Sequence, residues 1–366
     1  MKRKISEPST MPSFANASCP LPLRHTDQIM IGHGSGGRMT QELINRIFLT
    51  HFDHPQLTLG NDFAAVLPPD FAERQGRLSI STDAHIVKPL FFPGGDIGKL
   101  AVCGTVNDVA MAGAIPLYLT ASFIVEEGLS MNLLEQIVIS MAKTAKEAGV
   151  SIVAGDTKVA EKGSVDQLFI STSGVGWIPD GRQINGQSAQ PGDSILLSGS
   201  MGDHGIAVLA ERGELGFTTT LCSDMAPLNG MIEELLKVAP HVHVLRDPTR
   251  GGVATTLNEI AQQSRVAMLL QEDTLPVKKQ VLAACEMLGF DPLYIANEGK
   301  LLVIVPEEDK AAALKVMHQH PYGKDAVEIG KILPREGETP RVFMKTRIGG
   351  KRILDTLAGE LLPRIC

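Results

Sequence analysis

From residue 29 to about 346 the chain alternates short apolar runs with longer amphipathic stretches. The runs Ser151–Ala154, Gln167–Thr172, Ser194–Ser198 and Leu301–Val305 predict strands. In the run Leu78–Asp83, period two puts Leu78, Ile80 and Thr82 on one face and Ser79, Ser81 and Asp83 on the other. Leu134, Ile137, Val138, Met141 and Ala145 recur at helical spacing, with Ser130 as N-cap and Gly149 as stop. Ala226–Val238, Val253–Gln263, Val277–Leu288 and Glu307–His318 also read as helices. A helix starting after Asp96 would align Asp108 with Ala101 and Gly104, a face small enough for very close packing. This alternation predicts an α/β or α+β chain.

Periodicity lapses over Pro179–Asp193, which is rich in turn formers. The predicted organisation is an extension over 1–28, domains over 29–185 and 186–346, and a mobile tail over 347–366. Extended, the 16 residues after Gly350 reach ~50 Å at about 3.3 Å each, enough to cross a domain.

At 366 residues and 43% hydrophobic content, the chain suits two folded domains. Its net charge of −7 argues against a general nucleic-acid binder. No apolar run approaches the ~20 residues that cross a bilayer. Residues 1–28 begin Met-Lys-Arg-Lys and lack the apolar core of a signal peptide. The five cysteines are odd in number and scattered, which excludes a disulfide framework and a Cys-based zinc site. A reducing cytoplasm is expected. Cys103 and Cys285 fall in apolar helical patterns and read as core. Cys366 is the last residue, a thiol on a segment held from one side only.

Four aspartates stand beside small residues at expected element ends: Asp62, Asp83, Asp108 and Asp156. Oxygen donors without clustered His or Cys suit Mg²⁺ shared with nucleotide phosphates better than zinc or iron. Taken singly, each aspartate reads equally as a cap or turn residue. Gly32-His33-Gly34-Ser35-Gly36-Gly37 contains G-x-G-x-x-G but lacks the strand context of a Rossmann fingerprint. It reads as a phosphate-covering loop or as a plain flexible linker. Arg246–Gly252 precedes a helix start, where backbone N–H groups favour anions and Arg250 adds charge. His204, in a similar strand–loop–helix segment, reads as a loop or capping residue rather than a catalyst. Glu298 at a strand entrance reads either as a general base or as a solvated charge. Lys158, two residues past Asp156, is open between a phosphate contact and a surface charge.

Together, Gly60–Val66, Ser81-Thr82-Asp83, Asn107–Ala110, Gly155-Asp156-Thr157 and Asp247–Gly252 resemble the ATP-binding superfamily of aminoimidazole ribonucleotide (AIR) synthetase, selenophosphate synthetase and thiamine-monophosphate kinase. Within it, His33–Gly37, Pro89–Gly95, Gly155–Lys158, Asn297–Lys300 and terminal Pro363-Arg364-Ile365-Cys366 are similar to the HypE family of hydrogenase maturation proteins. That resemblance implies a two-domain AIR synthetase-like architecture with an N-terminal dimerising domain, a C-terminal α/β domain and a flexible tail. It implies ATP and Mg²⁺, the metal on Asp62, Asp83, Asp108 and Asp156. Nucleotide contacts would come from Gly34, Ser35, Gly36, Asp83, Asn107, Asp108, Asp156, Asn297, Arg250 and Gly251. The implied activity is dehydration of a carbamoyl group carried on Cys366, with Glu298 as base and Lys158 stabilising charge. The implied partners are a carbamoyltransferase (HypF), a HypC–HypD iron scaffold and a second copy of the chain. Other readings are a selenophosphate synthetase-like enzyme, a small-molecule kinase, or a non-catalytic docking protein. The terminal Cys and the absence of Cys from the Gly-rich loop argue against the first two.

Overall fold

The structure, a computed structural model, describes residues 37–43, 64–66, 75–213, 216, 219–335, 337, 339–357, 359 and 365. The Gly34–Gly36 loop, Asp62 and Cys366 lie outside the described residues.

The N-terminal half contains α1 (Arg38–Leu43), β1 (Ala64–Val66), β2 (Gly76–His85), the ribbon β3 (Phe91–Phe92) and β4 (Gly95–Asp96), and α2 (Ile97–Ala110). It continues with β5 (Ile115–Glu126), α3 (Met131–Ala148), β6 (Ser151–Ala160) and β7 (Leu168–Pro179). Five strands form one sheet in the order β1-β2-β7-β5-β6, in which only β5 and β6 are parallel. The Asp96 carboxylate accepts the N–H groups of Gly98 and Lys99, so α2 begins where the sequence predicts. Gly149 ends α3 in the left-handed region, also as expected. Of the expected core face of α3, Ile137, Met141 and Ala145 are buried, but Val138 is exposed. One flank of that helix has no neighbour among the described residues to cover it.

Helix α2 lies on the inner face of this sheet, and glycines on both elements permit the approach. A Cβ on Gly176 of β7 would stand 2.5 Å from the Val109 side chain, and one on Gly104 would stand 3.2 Å from Asp83 Oδ2. Asp83 is thereby held against the helix. Along β2 the burial alternates as period two requires, with Ser79, Ser81 and His85 buried and Ile80, Thr82 and Ala84 exposed.

The C-terminal half contains β8 (Ser194–Leu197), α4 (Asp203–Glu211), α5 (Asn229–Val238), β9 (Val244–Arg246), α6 (Gly252–Ser264) and β10 (Ala267–Gln271). Then follow α7 (Lys279–Leu288), β11 (Leu302–Val305), α8 (Glu307–Gln319), β12 (Val327–Leu333), β13 (Val342–Lys345) and β14 (Lys351–Leu354). The seven strands run β14-β13-β10-β12-β8-β11-β9. β8 and β11 are buried at every position, as unbroken apolar runs require.

Two expectations need correction. Asp156 does not end a strand, because β6 continues to Ala160. Nor is the chain loose from residue 347: Lys351–Leu354 pairs antiparallel with β13, and Leu354 is buried. A tail starting after Leu354 has 12 residues, or ~40 Å when extended.

Candidate active site

Where the two halves meet, a cavity of about 250 Å³ is lined by Ser81, Thr82, Asp83, Gly104, Asp108, Asp247, Thr249, Arg250 and Glu298. The β2 strand supplies Asp83, α2 supplies Asp108, and the turn before α6 supplies Asp247 and Arg250. The Ser81 hydroxyl donates to Asp108 Oδ2 at 2.8 Å, cross-linking strand and helix at the cavity wall. His85, buried under Asp83, places Nε2 3.7 Å from Asp83 Oδ2. Gly251 caps α6 with φ +76°, and a Cβ there would strike Thr255, so the turn presenting Arg250 requires glycine.

Glu298 is only 4% exposed. Its carboxyl is pushed well above the usual carboxylate range, first by burial and then by the charges of Asp83, Asp247 and Asp224. Its backbone is fixed on both sides. The Glu298 N–H donates to Asp224 Oδ1 at 3.1 Å, and the Glu298 carbonyl accepts from Asn107 Nδ2 at 3.4 Å. Asp224 is buried and pairs with Lys300 Nζ at 3.0 Å. Burial pushes that carboxyl up, but the Lys300 ammonium, His204 and the Glu298 N–H together hold it below its ordinary value.

Asn107 and Asn297 have structural duties. The Asn107 amide donates to the Ala226 carbonyl and accepts from Leu228 N–H, tying α2 to the other half. Asn297 donates to the Pro248 and Ile295 carbonyls and accepts from Gly202 N–H. With both amides engaged on backbone, they position the Glu298 loop rather than face the cavity.

The strand β6, which carries positions 156 and 158, does not border the cavity wall formed by β2 within one chain. β2 and β6 are separated by β7 and β5, about 14 Å at ~4.8 Å per strand. Position 158 is in register with Ile124, on the outward face, whereas Asp83 pairs with buried Thr172 on the inward face. Of the four aspartates the sequence groups together, Asp83 and Asp108 line this cavity.

Asp83 and Asp108 offer hard oxygen donors to one cavity, which fits a hard cation that takes its remaining ligands from phosphate and water. Among the described residues no three His, Cys, Asp or Glu side chains gather into a complete metal cage.

The comparisons with known proteins agree with this geometry. Residues 61–178 match the N-terminal domain of AIR synthase related proteins, and residues 190–343 match the C-terminal domain. The carbamoyl dehydratase HypE of Cupriavidus necator is 55% identical over 93% of this chain and 95% of its own length. That of Escherichia coli is 46% identical over 93% of this chain and all of its own. The chain belongs to the HypE family of carbamoyl dehydratases. A crystal structure of HypE in complex with ATP superposes with TM-score 0.77 at 50% identity, covering 93% of this chain and 100% of that one. A HypE–HypF complex gives TM-score 0.80 at 50% identity, covering 86% and 99%. The family assignment confirms the AIR synthetase-like two-domain architecture expected from the sequence.

Sequence reasoning missed Asp224, which carries no motif and gains its role only by meeting Glu298 and Lys300. His204, expected as a loop or capping residue, lies in the first turn of α4 and is fully buried. Glu298 is resolved in favour of a buried acid at the cavity wall.

The raised Glu298 carboxyl makes a prediction about stability. The native state keeps this proton at pH values where the unfolded chain, with a glutamate pKa of about 4.3, has released it. Stability is therefore highest below the unfolded pKa and is lost as pH rises towards the folded one. Glu298→Gln in metal-free protein should be more stable than the parent at pH 8, with the difference vanishing near pH 4. Thermal melts across that range check the sign.

Proposed function

We propose that this chain uses ATP to dehydrate a carbamoyl group carried as a thiocarboxamide on Cys366, leaving a thiocyanate. The cyano group is destined for the iron of a nickel–iron hydrogenase. The observation that carries the reading is the burial of Ile365, the residue before Cys366, against the loop system that holds Glu298. Its side chain is 5% exposed within the apolar cluster that contains Phe92, Leu221 and Met225. Burial of the residue next to the proposed carrier anchors the tail on the body of the fold, as a tethered substrate requires.

The chemistry follows from leaving-group ability. An amide oxygen departs poorly, so it attacks the γ-phosphorus of ATP and ADP leaves. One amide proton passes to solvent as the O-phosphorylated imidate forms; the imidate then loses its remaining N–H proton and phosphate, and the C≡N bond forms. Buried Glu298 accepts that proton, and its raised pKa makes its ionised form a stronger base than a solvated carboxylate. Arg250 stands at the cavity rim to offset phosphate charge. Asp83 and Asp108, with Asp62 and Asp156 as the further candidates, would hold Mg²⁺, which would supply positive charge to offset the triphosphate. Gly34, Ser35 and Gly36 are assigned to the phosphates.

The carbamoyl group comes from a HypF-type carbamoyltransferase, and the acceptor is a HypC–HypD complex. The chain acts as a homodimer through the outward face of the five-stranded sheet. Ile80, Tyr118 and Ile124 stand exposed there, Tyr118 at 52%. These form an apolar patch of the kind that marks an interface. A second copy on this face would also bring Lys158 towards a neighbouring site. Tyr118→Asp is expected to convert the dimer to a monomer in sedimentation velocity; an unchanged mass removes this face from the interface.

The functional test is intact-mass analysis after incubation with the carbamoyltransferase, carbamoyl phosphate and ATP. A carbamoyl adduct should form on Cys366 and lose one water only with ATP present. An adduct that never dehydrates defeats the enzymatic reading, and an adduct on Cys366→Ala defeats the carrier assignment.

A further inference from the structure

We infer that His204 is the positioning residue for the C-terminal tail: its imidazole grips the Ile365 carbonyl and so sets the register at which the terminal residue is presented. The inference rests on the reading of Cys366 as the carrier and names the device that seats it.

His204 occupies the first turn of α4, just after Gly202, whose φ of +82° starts the helix. Its ring is fully buried, and Phe92 packs edge-on against it with centroids 5.6 Å apart. Both ring nitrogens are engaged. Nδ1 lies 2.8 Å from Ser223 Oγ, and Nε2 lies 2.5 Å from the Ile365 carbonyl oxygen. A carbonyl only accepts, so Nε2 carries the proton. The direction of the other bond follows. Ser223 Oγ accepts the Met225 N–H at 3.3 Å and turns its own proton to Nδ1. A single polar chain thus runs from Met225 N–H through Ser223 and His204 to the tail. Burial lowers the imidazole pKa, in keeping with the neutral tautomer this chain demands.

The two parts of Ile365 are read differently. Its side chain enters an apolar cluster with Val87, Phe92, Ile206 and Leu221. Apolar packing holds the tail but tolerates a slip along the chain. The N–H of His204 meets one carbonyl and fixes which residue is seated. The following Cα is 3.8 Å further on, so seating Ile365 confines the terminal thiol to a small volume.

The seat is coupled to the candidate base through one short segment. Ser223 holds the His204 ring, and the next residue, Asp224, accepts the Glu298 N–H. The same segment is anchored to the β3–β4 ribbon by Ser223 N–H donating to the Pro93 carbonyl at 2.7 Å. Any shift of this loop therefore moves the tail seat and Glu298 together. What this seat recognises is an aliphatic side chain together with the backbone carbonyl of the same residue.

The test uses full-length protein with His204→Leu, His204→Gln and Ile365→Ala. The leucine removes the donor, the glutamine restores an N–H near the Nε2 position, and the alanine empties the apolar seat at a chain end where the body of the fold is undisturbed. Alkylation of Cys366 by N-ethylmaleimide is followed by mass at the C-terminal peptide, which separates it from exposed Cys222. Both His204→Leu and Ile365→Ala should raise the alkylation rate at least tenfold and lower the ATP-saturated dehydration rate similarly, with ATP affinity unchanged. His204→Gln should return most of both. Parent-like alkylation and dehydration in folded His204→Leu would overturn the proposal. Should that variant not fold, parent-like behaviour of Ile365→Ala does the same. Loss in His204→Leu with no recovery in His204→Gln also counts against it. Alkylation needs no carbamoyl chemistry, so failure of the seat and failure of the dehydratase reading are seen separately.

Discussion

Glu298→Gln is expected to bind ATP as the parent chain does, to accept the carbamoyl group on Cys366, and to dehydrate it about 10²–10⁴-fold more slowly, the range for loss of a general base. The substitution preserves shape, and the backbone of residue 298 stays fixed by Asp224 and Asn107 whatever its side chain. Only the proton acceptor is lost. Calorimetry for ATP and intact mass for the adduct separate binding from chemistry. Dehydration at the parent rate would remove Glu298 from the mechanism and leave its burial unexplained by catalysis.

Gly299→Ala should produce the largest loss of stability among single-methyl changes at the site. A Cβ there would stand 1.8 Å from the Asp224 carbonyl oxygen and 2.8 Å from the Ala226 nitrogen. Both obstacles are backbone, so no rotamer relieves them, and the loop carrying Glu298 must shift. Overpacking of this kind costs about 3 kcal/mol or more, which lowers the melting temperature by roughly 6–12 °C for domains of this size. Dehydration should fall with it, because the strap that sets Glu298 is displaced. Gly230→Ala is the control. It lies in α5, where only His320 Nε2 comes near, at 3.6 Å. A helical Gly→Ala change there should be neutral or stabilise by up to about 1 kcal/mol. Equal melting temperatures for the two variants would refute the steric account.

Several site features were legible because they are local. Period two along β2 put Ser81 and Asp83 on one face, and the structure buries Ser81 and aims Asp83 at the cavity. Helical spacing aligned Asp108 with Gly104, and α2 does approach β2 at that glycine. The strand end expected at Asp156 was misread for an equally local reason. Gly155 looks like a strand end, yet in β6 it simply lies against the Ala121 carbonyl, where a Cβ would come within 2.7 Å. Glycine marks close backbone approach as readily as a turn.

Sequence alone determined the alternation of elements, the polar faces of β2 and α2, the terminal cysteine and, through its motifs, the family. These depend on residues a few positions apart, where periodicity and turn chemistry speak directly. The tertiary structure decided what depends on distant segments meeting. Asp224 contacts a backbone N–H 74 residues away, and His204 holds a carbonyl 161 residues away. No local pattern records such pairs, because each partner satisfies its own neighbourhood equally well without the other. Burial then changed their chemistry: Glu298 became a carboxyl with a raised pKa, and His204 a neutral donor, only when the two halves closed over them.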